Sequence, residues 1–230
     1  GALGGNYIFK PPSTSYPEMP ENEHVTMKIA EAFGINTVPN SLIRLNSGEL
    51  AYITKRIDRT IDNQKIHMLD MFQITEAVDK YKSTMERVGK ALSQYSADTL
   101  MDQLSYFELV VFCFLTGNND MHLKNFSMIQ ANGKWALSPA YDLLNVNLAN
   151  PSDKEELALN MEGKKRKFTR HNFERFGANL GLNSKQIQGV FSRFEKKKSQ
   201  ALSLLNASFL TLEGRENYWS IMELRYKAVL

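Results

Sequence analysis

The chain has 230 residues, of which 43% are hydrophobic and 23% charged, with a formal net charge of +3. These values are typical of a folded globular protein and exclude disordered and collagen-like chains, and the net charge is too small to indicate direct nucleic-acid binding. No apolar stretch approaches the roughly 20 residues that span a bilayer, and the single Cys113 stands in the apolar run LVVFCFL, so we expect a cytoplasmic, soluble protein without disulfides or membrane contact.

The first 60 residues predict a small β-rich unit. Segment 6–10 alternates in character before two prolines, which predicts a strand that ends at Lys10. Residues 21–33 carry apolar side chains four apart, with acidic residues in the first turn and a glycine after the last, which predicts an amphipathic helix. The turn NSG between two alternating runs predicts a β-hairpin over 41–57.

Beyond residue 60 the pattern becomes mainly helical. One further hairpin is expected over 126–140, around the turn ANGK. Helices are predicted near 67–80, 84–95, 97–115, 170–180, 184–205 and 211–226, with Thr169 and Asn183 as N-caps of the fourth and fifth. The sequence therefore predicts an α+β fold with two lobes and a cleft between them: a small N-lobe over 1–59 and a helical C-lobe over 60–230.

The stretch TGNNDMHLKNFSMI, residues 116–129, sets one acidic residue in a polar loop between two apolar runs. Phosphoryl transfer needs a carboxylate to orient the attacking hydroxyl and oxygen ligands for Mg²⁺, and protein kinases supply them with Asp-x-x-x-x-Asn and a later Asp. Asp120 and Asn125 have this spacing. The hairpin begins just after Asn125 and ends just before Asp142, so its antiparallel strands are expected to bring these two residues together.

The small lobe offers the other groups that this chemistry requires. Lys10 at a strand end is a candidate to neutralise nucleotide phosphates, and Glu23 on the following helix is a candidate partner for it, as in kinases. The stretch ITKRID, residues 53–58, is then the connection between lobes, where backbone groups commonly meet adenine.

Purely structural interpretations stay open for each residue taken alone. Asp120 is also a residue that favours turns for local reasons. Lys10 is equally explained as a surface charge, and Glu23 as a first-turn residue stabilised by the helix dipole. His122 has no Cys or His partner at metal-ligand spacing, which favours a hydrogen-bonding role.

Several motifs in the same order resemble the HipA family of bacterial serine/threonine kinases, the toxin half of HipA/HipB toxin–antitoxin pairs. They are IFKPP, PENEHVTMKIAEAFGI, VPNSLIRLNSGELAYITKRIDR, GNNDMHLKNFSMI and LSPAYDLLNV. The resemblance covers roughly residues 5 to 145. It implies a two-lobed, kinase-like fold and the use of ATP and Mg²⁺.

The resemblance also implies a role for each matching residue. Asp120 corresponds to the catalytic base, and Asn125 and Asp142 to Mg²⁺ ligands. The nucleotide side comprises Lys10 on the phosphates, its partner Glu23, the backbone from Lys55 to Ile57 on adenine, and His122, Lys124 and Tyr141. Family members phosphorylate aminoacyl-tRNA synthetases and are restrained by a helix-turn-helix antitoxin, so the resemblance implies a protein substrate of this kind and a HipB-like partner.

The sequence departs from the family in one respect. Family members carry a Ser-x-Ser-Gly type loop upstream of the lysine strand, and the residues before Lys10 hold no counterpart. We expect that a separate N-terminal HipA-like subunit supplies this part, that the sequence is a shortened form, or that the domain is a weakly active or inactive interaction module. For the function, a small-molecule kinase on a related fold is a further interpretation.

Overall fold

The computed structural model describes residues 5–230. It has the predicted α+β architecture, with two small antiparallel sheets and a mainly helical body. The strands are β1 (Tyr7–Lys10), β2 (Asn40–Arg44), β3 (Leu50–Lys55), β4 (Met68–Asp70), β5 (Ser127–Ala131) and β6 (Lys134–Leu137). The helices are α1 (Met19–Phe33), α2 (Met71–Ile74), α3 (Met85–Tyr95), α4 (Thr99–Leu115), α5 (Val146–Ala149), α6 (Arg170–Asn179), α7 (Ser184–Lys196), α8 (Lys198–Asn206) and α9 (Leu212–Val229).

The first sheet has the strand order β1-β3-β2, and it contains the predicted strand and the predicted hairpin. β1 pairs with β3 in a register that sets Lys10 opposite Tyr52, and Pro11 ends the strand because proline has no backbone N–H to donate. α1 follows and ends at Gly34, whose φ of 86° is the left-handed conformation that a helix C-terminus commonly requires. Lys10 is therefore carried by an edge strand, and residues 11–18 connect this strand to α1.

The second sheet corrects the predicted helix over 67–80. Residues Met68–Asp70 form the strand β4, which pairs with β5 and extends the predicted hairpin to three strands. Only Met71–Ile74 is helical, a single turn that Asp70 caps by accepting the Gln73 N–H. A short apolar run has no period that separates strand from helix, and here pairing with a strand almost 60 residues away decided the outcome.

The helical body is built around α4, whose residues 106–115 are almost all fully buried. Its apolar run SYFELVVFCFL is typical of a helix that is buried on all sides. Asn183 caps α7 as predicted, accepting the Gln186 N–H. The helix predicted over 184–205 is two helices instead, because the chain turns at Lys197 so that both α7 and α8 reach the core.

One hydrophobic core includes residues from both predicted lobes. Phe33 of α1 is fully buried, and its ring packs on Phe112 of α4 at 5.6 Å and on Phe194 of α7 at 5.0 Å between centroids. The division into lobes at residue 60 stays a prediction. No helix in residues 5–230 has both the length and the apolar character needed to cross a membrane.

We expect Phe33→Ala to lower the free energy of unfolding by about 3–5 kcal/mol, because it leaves a cavity where α1, α4 and α7 meet. Urea denaturation followed by circular dichroism measures the change. Phe209→Ala is the matched control: this ring is 57% exposed, and its loss is expected to cost less than about 1 kcal/mol. Equal losses in the two variants would contradict the packing described for α1.

Candidate active site

Lys10 forms the centre of the candidate site. Its ammonium donates to both carboxylate oxygens of Glu23, at 2.7 and 2.9 Å, and also to Oδ1 of Asp142. The Glu23 side chain is only 6% exposed, whereas the Lys10 and Asp142 side chains are about one-third exposed at the surface of a cleft. The structure thus brings together the strand lysine and the helix glutamate that the sequence paired, and adds the aspartate from the far hairpin.

The charges in this cluster do not balance, since one ammonium faces two carboxylates. Burial raises the pKa of Glu23 to about 7, the Lys10 charge opposes this rise, and the Asp142 charge adds to it. Burial disfavours the charged form of Lys10, but its two carboxylate neighbours outweigh burial and raise its pKa. Lys10 therefore stays an ammonium at neutral pH, while Glu23 titrates near neutrality.

Asp142 is held at the mouth of the second sheet. Its φ of 59° lies in the left-handed region, which Asp tolerates better than most residues. The preceding Tyr141 donates its hydroxyl proton to the Lys124 carbonyl at 2.9 Å and lies 2.6 Å from the Ser127 hydroxyl. These bonds join the segment that carries Asp142 to the segment that carries Asn125, so both reach the same end of the β5–β6 hairpin.

The position of α1 relative to Asp142 is fixed by a buried pair of amides. The Asn22 side chain donates to the Asn145 carbonyl at 2.9 Å and accepts the Asn145 N–H at 2.8 Å. Four residues further along α1, the Thr26 hydroxyl lies 2.8 Å from the Tyr218 hydroxyl of α9. Since Asn22 precedes Glu23 and Asn145 follows Asp142 by three residues, this pair sets the distance across the Lys10 cluster.

Asp120 lies in the loop after α4, half-buried, and it lines the same cleft as Lys10 and Asp142. Its backbone carbonyl accepts the His122 N–H at 2.8 Å and the Asn125 side-chain amide at 3.0 Å. The Asn125 amide therefore closes the turn that follows Asp120 and leaves its own side-chain oxygen as the remaining acceptor. The five-residue spacing thus has a structural basis here.

His122 is buried against two residues that the sequence did not single out, Lys80 and Tyr81. Its Nε2 lies 2.9 Å from the Lys80 ammonium; because an ammonium only donates, we assign the ring proton to Nδ1. Burial lowers the pKa of His122, the nearby Asp120 charge opposes this, and Lys80 lowers it further. The Nδ1 atom bonds to no partner within residues 5–230.

Two adjoining cavities meet at the Lys10 cluster, with volumes of about 380 and 500 Å³. The first is lined by Asp120, Ser13 and Tyr16 in addition to the cluster. The second is lined by the predicted adenine side, including Lys55, Ile57 and Tyr141. The predicted contacts His122, Lys124 and Asn125 line neither cavity, and the Lys124 ammonium lies over the Phe72 ring, 4.9 Å from its centroid.

The connection after β3 is stiffened by an ion-pair fork. The Arg56 guanidinium donates to both oxygens of Asp58, at 2.9 and 2.6 Å, and Arg59 donates to the same carboxylate at 2.6 Å. The Arg56 N–H pairs back to Asn6 at 2.8 Å. The next backbone donor, the N–H of Ile57, bonds to no acceptor in the described part of the chain, and Ile57 lines the second cavity.

Asp142 and Asn125, at the end of the hairpin, suit a hard cation whose coordination shell is completed by other ligands. Within residues 5–230, no three Asp, Glu, His or Cys side chains form a ligand set by themselves. Asp142 uses one carboxylate oxygen for Lys10 and keeps the second free of any described partner, and Asn125 offers an amide oxygen. Mg²⁺ is commonly held by one or two protein oxygens with phosphate and water, which this donor set suits.

The HipA-like C-terminal domain family matches residues 1–202. The chain belongs to this family. A Haemophilus influenzae protein named "Putative kinase" is 28% identical over 90% of the HipA-like chain and 69% of its own length. Sinorhizobium fredii proteins named "Putative kinase Y4dM" and "Putative kinase Y4mE" are 35% and 30% identical over 61% and 66% of this chain. The chain spans only 37% and 38% of the length of these two relatives.

Two solved structures share the fold of this HipA-like chain. A Shewanella oneidensis MR-1 HipA, solved with HipB and operator DNA, matches with a TM-score of 0.83 at 18% identity, over 98% of this chain and 58% of that one. The Helicobacter pylori proinflammatory kinase CtkA matches with a TM-score of 0.69 at 14% identity, over 97% and 87%. These likenesses confirm the predicted kinase-like α+β fold.

Sequence reasoning missed several residues that hydrogen-bond to the elements carrying the candidate site residues. Lys80 is the last residue of the helix predicted over 67–80 and Tyr81 follows it, and nothing in this pattern indicated that they reach the Asp120 loop. Asn22 and Asn145 lie 123 residues apart, and no local pattern pairs two amides at such a separation. The charge pattern at Arg56 and Asp58 is visible in the sequence and was the one available signal.

We expect the stability of the protein to fall relative to Glu23→Gln as pH rises from about 4.5 to about 7. In this window the unfolded carboxyl loses its proton while the folded one, with its raised pKa, retains it, so ionisation favours the unfolded chain. The difference in free energy of unfolding should change by on the order of 3 kcal/mol. Urea denaturation of both proteins across pH 4 to 9 measures it.

The same titration contains its own control, because the difference should stay constant below and above the window. Asp142→Asn removes a repulsive charge and is expected to move the upper end of the window to lower pH. A difference that rises with pH between 4.5 and 7 would contradict the raised pKa of Glu23.

Proposed function

We propose that this chain is the catalytic domain of a HipA-like, ATP-dependent protein kinase that phosphorylates serine or threonine. The observation that carries the proposal is the convergence, in one cleft, of a lysine from the N-terminal sheet, a buried glutamate from α1, Asp142 after the second sheet and Asp120 of the loop after α4. The family and the names of its relatives support the same reaction class.

The nucleotide would occupy the two adjoining cavities, with adenine beside the Ile57 backbone and the phosphates at Lys10. The free Ile57 N–H supports this placement, since a hydrogen-bond donor in a cleft wall suits a purine nitrogen. Lys10 would exchange its contact with Asp142 for the phosphates, while Glu23, with both oxygens on the ammonium, keeps the lysine in position.

Asp120 would accept the proton of the substrate hydroxyl. The hydroxyl O–H bond breaks, the oxygen bonds to the γ-phosphorus, the bond from that phosphorus to the β–γ bridging oxygen breaks, and ADP leaves. One Asp120 oxygen accepts from Tyr81, so the other is the oxygen available to the substrate. Asn125 keeps the loop closed around this carboxylate through its bond to the Asp120 carbonyl.

Asp142 and Asn125 would hold Mg²⁺ together with phosphate oxygens. When bound, the ion neutralises charge that develops on the transferred phosphoryl group. The left-handed backbone of Asp142 and the Tyr141 hydroxyl bonds keep the carboxylate at the hairpin end, where the phosphates would lie.

The family also supports a proposal for the substrate and the partners of the chain. We include an aminoacyl-tRNA synthetase as the protein substrate and a HipB-like antitoxin as a partner, in a toxin–antitoxin pair. The S. oneidensis HipA structure, which is a complex with HipB and operator DNA, supports the partner, and the substrate rests on the family resemblance alone.

A second candidate function is a kinase-like interaction module that binds a separate N-terminal HipA-like subunit. It is favoured by the edge strand β1, whose Tyr7, Ile8 and Phe9 are 60%, 49% and 50% exposed. Asn6 accepts from Arg56, so alternation turns the backbone groups of Tyr7 and Phe9 outward, and an unpaired, apolar edge can accept a strand. This module would be favoured if the chain co-purifies with the product of a neighbouring gene and incorporates no phosphate either with or without that product.

We expect Mg²⁺-ATP to raise the melting temperature of the chain by roughly 5–10 °C at a hundred times its dissociation constant, since this concentration stabilises the fold by about 2.7 kcal/mol. Most of this shift should disappear in Asp142→Asn. This variant should fold normally, because Asn tolerates the left-handed backbone at this position. Differential scanning fluorimetry with and without EDTA measures it. Asp62→Asn, at an exposed loop position, is the matched control. No shift in the parent would favour the interaction module.

We expect Asp120→Asn to abolish phosphoryl transfer while leaving the Mg²⁺-ATP thermal shift in place, because the amide cannot accept the substrate proton but keeps the shape of the carboxylate. ADP formation and ³²P incorporation from labelled ATP measure the transfer. Full activity in this variant would refute the assignment of Asp120 as the base.

A further inference from the structure

Asp120 is bonded through its side chain by a residue outside its own loop. The Tyr81 hydroxyl donates to Asp120 Oδ1 at 2.7 Å. A phenol is an effective donor to a carboxylate, and hydrogen bonds to charged groups are stronger than those between neutral groups. Tyr81 lines neither of the two cavities, so it reaches Asp120 from outside the cleft in which the substrates are proposed to bind.

Tyr81 is held in place by the turn that contains it. Its N–H donates to Asp79 Oδ1 at 2.9 Å, which forms a local turn. Its ring meets His122 edge-on, with centroids 5.0 Å apart and an interplanar angle of 82°. The Lys80 ammonium lies 4.8 Å from the Tyr81 ring centroid. The phenol therefore has little freedom to turn away from the carboxylate.

The same turn makes two further hydrogen bonds to the Asp120 loop. Lys80 bonds through its ammonium to His122, two residues after Asp120, and through its carbonyl to the Leu123 N–H at 3.2 Å. The His122 backbone N–H and the Asn125 side-chain amide both donate to the Asp120 carbonyl, and these bonds fix the main chain of this loop. They leave the side-chain torsion of Asp120 to be set by other groups, and such a terminal carboxylate torsion is broad when nothing restrains it.

We propose that Tyr81 is the positioning residue of Asp120: its hydroxyl fixes one carboxylate oxygen so that the other faces the substrate hydroxyl. This inference rests on the proposed kinase function, in which Asp120 is the base. Small displacements of a reacting group cost much of the rate, so the effect belongs to turnover. Nucleotide affinity is set by the Lys10 cluster and the two cavities, which Tyr81 does not touch.

The test compares steady-state ADP formation from Mg²⁺-ATP by the parent, Tyr81→Phe and Asp120→Asn. Tyr81→Phe keeps the ring against His122 and removes only the hydroxyl. We expect its kcat to fall about tenfold, with the KM for ATP and the Mg²⁺-ATP thermal shift unchanged. Asp120→Asn should lose phosphoryl transfer altogether, so Tyr81→Phe, which keeps the carboxylate and removes only its restraint, should retain clearly more activity than Asp120→Asn.

Tyr95→Phe is the matched control, since Tyr95 is 47% exposed and Tyr81 is 40% exposed; its kcat should equal that of the parent. An unchanged kcat in Tyr81→Phe would overturn the inference, and so would parallel losses of kcat, ATP affinity and stability, which indicate a structural role. Phosphotyrosine at position 81, detected by mass spectrometry after incubation with Mg²⁺-ATP, would identify an acceptor and also overturn it. A parent that forms no ADP refutes the proposed function and this role together.

Discussion

The site depends on the ion pairs of the Lys10 ammonium with the carboxylates of Glu23 and Asp142. It joins three elements that are distant in sequence: the edge strand β1, the helix α1 and the segment that follows the second sheet. Removing a cation from such a cluster would leave a buried glutamate unpaired, which is costly. The position of the strand end, the approach of α1 and the orientation of the hairpin must therefore agree before the cluster can form.

This requirement explains why the surrounding structure is polar and tightly bonded rather than simply apolar. Tyr141 joins the segments that carry Asn125 and Asp142, and Arg56 with Asp58 stiffens the connection after β3. Behind the cleft, Tyr81 and Lys80 brace the Asp120 loop. Each of these contacts involves a residue that neighbours or bonds to a group proposed to contact ATP or the substrate. Each contact restricts the movement of that group.

The sequence predicted the elements whose signals are local. The strand ending at Lys10, the helix with Glu23 and the hairpin between Asn125 and Asp142 all have turn residues, caps or alternation that specify them. The pairing of Lys10 with Glu23 was predicted by analogy with the strand lysine and helix glutamate of kinases. β4 was missed because a three-residue strand is fixed by its partner and not by its own pattern, and Tyr81 was missed with it. The Asn22–Asn145 pair depends on tertiary proximity, which a single sequence does not contain.

The buried amides of Asn22 and Asn145 have a further consequence for control of the protein. A swing of α1 away from the helical body would break two hydrogen bonds, leave an amide and a peptide group unpaired in the interior, and separate Thr26 from Tyr218. In protein kinases the helix that carries the paired glutamate is a point of regulation by displacement. Here the bonds of Asn22 and Thr26 oppose such a displacement of α1, so an on–off switch would act more readily through the loops that border the cleft.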